Sequence, residues 1–263
     1  MLHFTSAQLN AWMVMLLWPA TRILAAISVA PLFGHANIPA TVKLGLGLLL
    51  AVAVAPALPA LPEVTPFSGD GLLILMQQIL IGLATGFSMK LAFTAVELAG
   101  ELAALTMGLS FASIYDPNSQ GQATVVSQWF GWLALMVFVS ANLHLALLAA
   151  LTDSFSTLPV SALPVGTGPF GMVVALGGKI FAIGLQLSLP IIAALLVTNL
   201  ALGLLTKAAP QLNLFGIGFP ITLGVGFLMI GLVIPYLTQP LTSLLERAIH
   251  TSPALSISSP LIR

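Results

Sequence analysis

The chain contains no cysteine, which excludes disulfides, thiolate metal sites and cysteine nucleophiles. Charge is almost as scarce. Seven Lys and Arg and seven Asp and Glu make up 5% of 263 residues and sum to a formal net charge of zero, whereas soluble domains carry about 25% charged residues. Without a basic run there is no electrostatic footprint of a nucleic-acid binder, and no nucleic-acid partner is expected. The four histidines, His3, His35, His144 and His250, are too dispersed to hold a metal. What fills the chain is apolar: 59% hydrophobic residues and a mean hydropathy of +1.10, the composition of an integral membrane protein in contact with lipid. No polar block is long enough to be a soluble domain, so residues 1–263 are expected to form a single domain. No Lys or Arg precedes the first apolar run and Arg22 sits inside it, so that run is expected to be a retained helix and not a cleaved signal.

An apolar helix needs about 20 residues to cross the hydrocarbon core, and six segments satisfy this: 11–33, 40–61, 71–102, 124–151, 172–206 and 214–245. Strict two-residue alternation over short segments, the mark of a membrane barrel, is absent. The predicted class is therefore an all-α integral membrane protein of about six kinked hydrophobic helices. Prolines 19, 56, 190, 220 and 235 fall inside these segments, and each removes a backbone hydrogen bond. Orientation is contradictory. Lys43 and Lys207 place the first and fifth connections in the cytoplasm by the positive-inside bias, while Arg247 and Arg263 ask for a cytoplasmic C-terminus that six full crossings do not give. Some segments are then expected to be bent hairpins, with 71–123 and 172–213 the foremost candidates because glycine or proline interrupts both.

The few polar residues inside apolar spans are the candidates for function, since an ionised side chain in hydrocarbon costs roughly 2–3 kcal/mol or more without a partner. Lys90, Glu97 and Glu101 are spaced by seven and four, which sets them on one helix face with Gly86 and Thr94. The stripe reads either as a conduit or subunit contact, or as a mutual ion pair near an interface. Arg22 is solitary and reads either as a snorkelling side chain or as a partner for another subunit. Lys179, Gln186 and Asn199 dot the fifth span, where amides join helices by hydrogen bonds worth about 1 kcal/mol. The glycines crowded between Gly203 and Gly231 imply close helix neighbours.

Catalysis is not expected. Gly108-Leu109-Ser110-Phe111 lacks the closing glycine of a GxSG serine-protease motif. Tyr115-Asp116 would be half of an aspartyl intramembrane protease, but Phe67-Ser68-Gly69-Asp70 lacks the first glycine of the GxGD half. No cofactor is implied.

Two strings carry a specific resemblance. MGLSFASIYDP at 107–117, followed by PQLNLFGIGFP at 210–220, is similar to the FliR family of flagellar export proteins and to its relatives in injectisome type III secretion. Further matches are Pro19 and Arg22 ahead of Pro31, the Pro56 to Pro62 end of the second span, Glu97 and Glu101, His144, Leu189-Pro190-Ile191, and Thr198-Asn199-Leu200-Ala201-Leu202-Gly203. Gly216-Ile217-Gly218-Phe219-Pro220 resembles the flagellar branch more than the injectisome branch. The resemblance implies a noncatalytic, single-copy subunit of the export gate in the bacterial inner membrane at the flagellar basal body. It would assemble with FliP-like and FliQ-like subunits into a closed helical channel for exported flagellar proteins, with an FlhB-like subunit around the cytoplasmic entrance. It further implies that the loop after the Glu-bearing helix plugs the channel. The matching positions are Ser110, Phe111, Ala112, Ser113 and Ile114, with Met107 and Leu109 adding to an apolar seal that excludes water by dewetting. A small secondary transporter is the rival class, but it would show paired repeats with interrupted helices, and no convincing repeat is present. A scaffold without a pore would differ only in whether the 107–116 loop lines a conduit.

Overall fold

The computed structural model describes residues 6–59, 61–62, 64–109, 123–162, 168–209 and 214–250. Among them the secondary structure is helical without a strand: α1 (Ser6–Val29), α2 (Ala40–Val54), α3 (Gly69–Met107), α4 (Val125–Ser140), α5 (Leu143–Thr157), α6 (Gly168–Ala208) and α7 (Leu214–His250). Five helical segments are long and apolar enough to cross a membrane. The α4–α5 pair makes a sixth if its two short helices count as one span. The molecule is thus a multi-pass helical membrane protein.

Two spans break where the sequence expectation had them continuous. The second span was expected to run to residue 61, but α2 stops at Val54 and a single 3₁₀ turn, Ala55–Ala57, takes over around Pro56. Proline has no N–H to continue the ladder, and the tighter turn tolerates it. The fourth span is not one helix. α4 and α5 are a bent pair broken at Ala141–Asn142, where Asn142 is left-handed at φ 56°, a conformation that Asn tolerates better than most residues. Within the two foremost hairpin candidates, 71–123 and 172–213, Gly69–Met107 and Gly168–Ala208 are each one continuous helix, the latter passing through Pro190, while residues 110–122 and 210–213 of those runs lie outside the described residues. α7 likewise continues through Pro220, Pro235 and Pro240.

The chain packs as two compact units, one drawn from Met1–Leu91, Asn142–Gly177 and Leu245–Arg263, the other from Ala92–Ala141 and Gly178–Leu244. α3, α6 and α7 contribute residues to both. In the first unit, the core gathers Trp18, Ile23 and Ile27 of α1 with Ala51 of α2, Ile74 of α3 and Phe155 of α5. Lipid is as apolar as these side chains, so close backbone approach rather than water exclusion drives such packing. Gly82 and Gly86, one turn apart on α3, supply it: a Cβ at either would collide with a carbonyl oxygen of α1, that of Arg22 or that of Ala26.

In the second unit α3 is the common neighbour. A Cβ at Gly100 would lie 2.7 Å from the Ser127 Cα of α4, and one at Gly184 of α6 would lie 3.0 Å from the Ala95 carbonyl oxygen. Phe93 of α3 meets Phe138 of α4 edge-to-face at 5.6 Å. The outer faces are different in kind: Phe181, Leu189, Leu196, Leu200 and Leu204 of α6 and Phe227, Leu228, Leu232 and Tyr236 of α7 are all exposed.

Candidate functional site

The acidic end of α3 meets the start of α4. Thr124, the N-cap of α4, donates both its N–H (3.2 Å) and its hydroxyl (2.9 Å) to Glu101 Oε2, while its Oγ1 accepts from the Ser127 N–H at 3.2 Å. Glu101 therefore places a carboxylate at a helix N-terminus, where unpaired N–H groups and the helix dipole favour negative charge. One turn on, the Ser127 hydroxyl donates to the Glu97 carbonyl oxygen at 2.8 Å. The Glu97 carboxylate lies over Gly131, where a Cβ would stand 3.0 Å from Oε1.

The predicted polar stripe is divided by this packing. Lys90, Thr94 and Glu97 are exposed and Glu101 is half-buried. Gly86, assigned to the same face, is buried against α1 instead.

At the C-terminal end of α3, Met107 is fully buried. Its carbonyl oxygen accepts from the Thr222 hydroxyl of α7 at 3.2 Å, and its side chain lies across Gly226. Gly108 takes φ 87°, a left-handed turn that glycine adopts without penalty. Leu109 follows, half-buried.

Arg22 neither snorkels nor reaches the surface: it is 0% exposed. Its Nε donates to Gln78 Oε1 at 2.7 Å, Nη1 to the Ser154 carbonyl oxygen (2.8 Å) and hydroxyl (3.0 Å), and Nη2 to the Leu158 carbonyl oxygen at 2.8 Å. Every one of these acceptors is neutral. Ser154 and Leu158 lie at the C-terminal end of α5, where the negative end of the helix dipole favours a cation; the Ser154 carbonyl is shared with the Leu158 N–H at 2.9 Å. The Phe155 ring, 4.1 Å from the guanidinium carbon, adds a cation–π contact. Lys179, Gln186 and Asn199 all lie on the exposed side of α6, away from its buried Leu187, Ile191 and Leu195.

Residues 13–248 match the sequence profile of the bacterial export proteins, family 1. The chain belongs to the FliR family. The flagellar biosynthetic protein FliR of Pectobacterium carotovorum is 48% identical over 236 residues, covering 89% of this chain and 90% of that protein. FliR of Escherichia coli K12 is 46% identical over 89% and 90%, and FliR of Bacillus subtilis 32% identical over 80% and 82%.

Of the FliR-like loop singled out by sequence, Ser110, Phe111, Ala112, Ser113 and Ile114 lie outside the described residues, whereas Met107 and Leu109 lie within them. The packing residues that sequence reasoning missed are Gly82, Thr124, Ser127 and Thr222; the sequence places Gly86 only on the polar face, and Gly226 only among the glycines expected to bring helices close. A signal existed. Gly82 and Gly86, Ser127 and Gly131, and Thr222 and Gly226 are each small residues four apart, the spacing that brings helix backbones together.

Proposed function

We propose that the chain is a noncatalytic subunit of the flagellar type III protein export gate, resident in the bacterial inner membrane at the flagellar basal body. The observation that carries this reading is the family match across residues 13–248, together with relatives of nearly the same length named for flagellar biosynthesis. Those names favour the flagellar branch over the injectisome. The wide exposed apolar faces of α6 and α7 suit both lipid and neighbouring subunits of FliP-like and FliQ-like type, with an FlhB-like subunit at the cytoplasmic entrance. Exported flagellar proteins are the cargo.

Within that assembly Ser110 to Ile114 form an apolar plug, supported at its base by Met107 and Leu109. Such a constriction keeps a narrow path free of water because wetting it would strip hydrogen bonds from water without replacing them. The helix end at Gly108 and the tethering of Thr124 to Glu101 support this reading, since they hold both ends of the connection on packed helices.

Deleting 110–114, or making Phe111→Ser, tests the plug. Membrane conductance at matched levels of assembled complex should rise, and cells should grow poorly in high salt. Leu145→Ser, at an exposed position of α5, should leave the membrane tight. A tight membrane in the deletion variant would return the loop to ordinary helix-breaking duty.

A further inference from the structure

We propose that α7 carries the socket that fixes where the chain leaves α3, with Thr222 and Gly226 as positioning residues for the Met107–Leu109 exit. The argument for the socket stands on its own geometry; its consequence for sealing rests on the plug reading above.

The last carbonyls of a helix have no intrahelical donor, and leaving one unsatisfied in hydrocarbon is costly. At the end of α3 the Gly108 N–H turns back to the Leu105 carbonyl oxygen at 3.1 Å. Met107 finds its donor on another helix, the buried Thr222 hydroxyl at 3.2 Å. One turn further along α7, Gly226 receives the Met107 side chain so closely that a Cβ there would stand 2.5–2.7 Å from Cγ, Cε and Sδ. Backbone and side chain of one residue are thus held by two positions four apart on α7. The next residue, Gly108, then turns left-handed and directs the chain away.

The Thr222 contact can also be released. A hydroxyl has one hydrogen, and Thr222 Oγ1 lies 3.0 Å from the Phe219 carbonyl oxygen as well as 3.2 Å from that of Met107. The proton can swing to its own helix, so Thr222 leaves Met107 without becoming a buried donor lacking an acceptor. Small displacements of α7 therefore transfer to the start of the connection through Met107. This makes α7 the element that sets where the connection after α3 begins.

The absence of cysteine allows a unique reporter, Leu109→Cys, in the assembled complex in native membranes, read as the rate of labelling by a membrane-permeant maleimide. Thr222→Val, which keeps shape and removes the hydroxyl, should speed labelling about fivefold. Gly226→Val should speed it about tenfold by displacing the Met107 side chain. Adding Met107→Ala to Gly226→Val should return the rate to within about twofold of the reporter alone, because the shortened side chain vacates the overpacked space. If Gly226→Val does not assemble, Gly226→Ala with and without Met107→Ala is read the same way. An unchanged rate in the Gly226 variants, or no rescue by Met107→Ala, overturns the socket. Labelling does not require leakage: a response to the Gly226 variants alongside a tight plug deletion would keep the socket and sink the plug, and a leaky plug deletion alongside unchanged labelling would do the reverse.

Discussion

At the scale of single residues, two ionisable groups are answered by helix ends rather than by opposite charges. Arg22 sits on the C-terminal carbonyls of α5 and Glu101 on the N-cap of α4. Composition alone marked both as costly and therefore worth attention. It could not say what met them, because the Ser154 and Leu158 carbonyl oxygens belong to the backbone, which every residue carries, and folding alone brings them to Arg22. Gln78 and Ser154 were equally unremarkable as letters. The arrangement predicts an asymmetry between substitutions. Arg22→Met should destabilise the assembled protein by about 2–4 kcal/mol, since it takes the guanidinium donors from Gln78 Oε1 and the Leu158 carbonyl oxygen. Arg22→Lys should fall between, keeping the charge but not the planar fork that reaches Gln78, Ser154 and Leu158 together. Thermal inactivation or protease resistance of the purified complex measures both. Equal stability of Met and wild type would show that these contacts contribute nothing.

At the scale of elements, the apolar runs announced the number of segments well and their interruptions poorly. Proline was the expected breaker, and α2 does end just ahead of Pro56, yet α1, α6 and α7 run through theirs, while α4 and α5 break at Asn142 inside a run with no proline at all. In lipid the apolar residues face outward as well as inward, so hydropathy has no period from which to read the packed face. Small residues carry that information instead, and they separate into two kinds. A Cβ at Gly86 would meet the α1 backbone, whereas one at Gly45 would meet no described atom of another helix within 4 Å. Gly86→Ala should therefore cost about 1–3 kcal/mol through overpacking against a carbonyl that cannot swing aside, and Gly45→Ala should be neutral or slightly stabilising through helix propensity. Unfolding midpoints in one detergent compare the two directly. A neutral Gly86→Ala would mean that the α1–α3 contact is looser than its geometry.

At the scale of the whole molecule, three helices are too long for a single membrane thickness. α3, α6 and α7 have 39, 41 and 37 residues, or about 55–62 Å of helix each at 1.5 Å per residue, against a hydrocarbon core of about 30 Å. Only 28% of an 18-residue apolar window of α6 and 22% of the corresponding window of α7 are buried within the chain. So much unpartnered helix needs neighbours. The chain expressed alone should be degraded rapidly and should be protected by coexpressed FliP-like and FliQ-like subunits, as pulse-chase half-lives would show. Gly203, where an added Cβ would meet no described atom of another helix within 4 Å, tests where they sit: Gly203→Leu should abolish that protection if a subunit packs on this side of α6. A chain equally long-lived with and without partners would remove the requirement for them.

The Arg22 cluster also imposes an order in time. Its acceptors lie 56, 132 and 136 residues further along the chain, so at about 5–20 residues per second the ribosome delivers the last of them roughly 7–27 s after Arg22 itself. Throughout that interval the first helix carries a cation whose full set of ligands has not been synthesised, since Gln78 comes well before Ser154 and Leu158. α1 can be inserted early but cannot settle early, and the N-terminal end of the protein is completed only when its middle arrives.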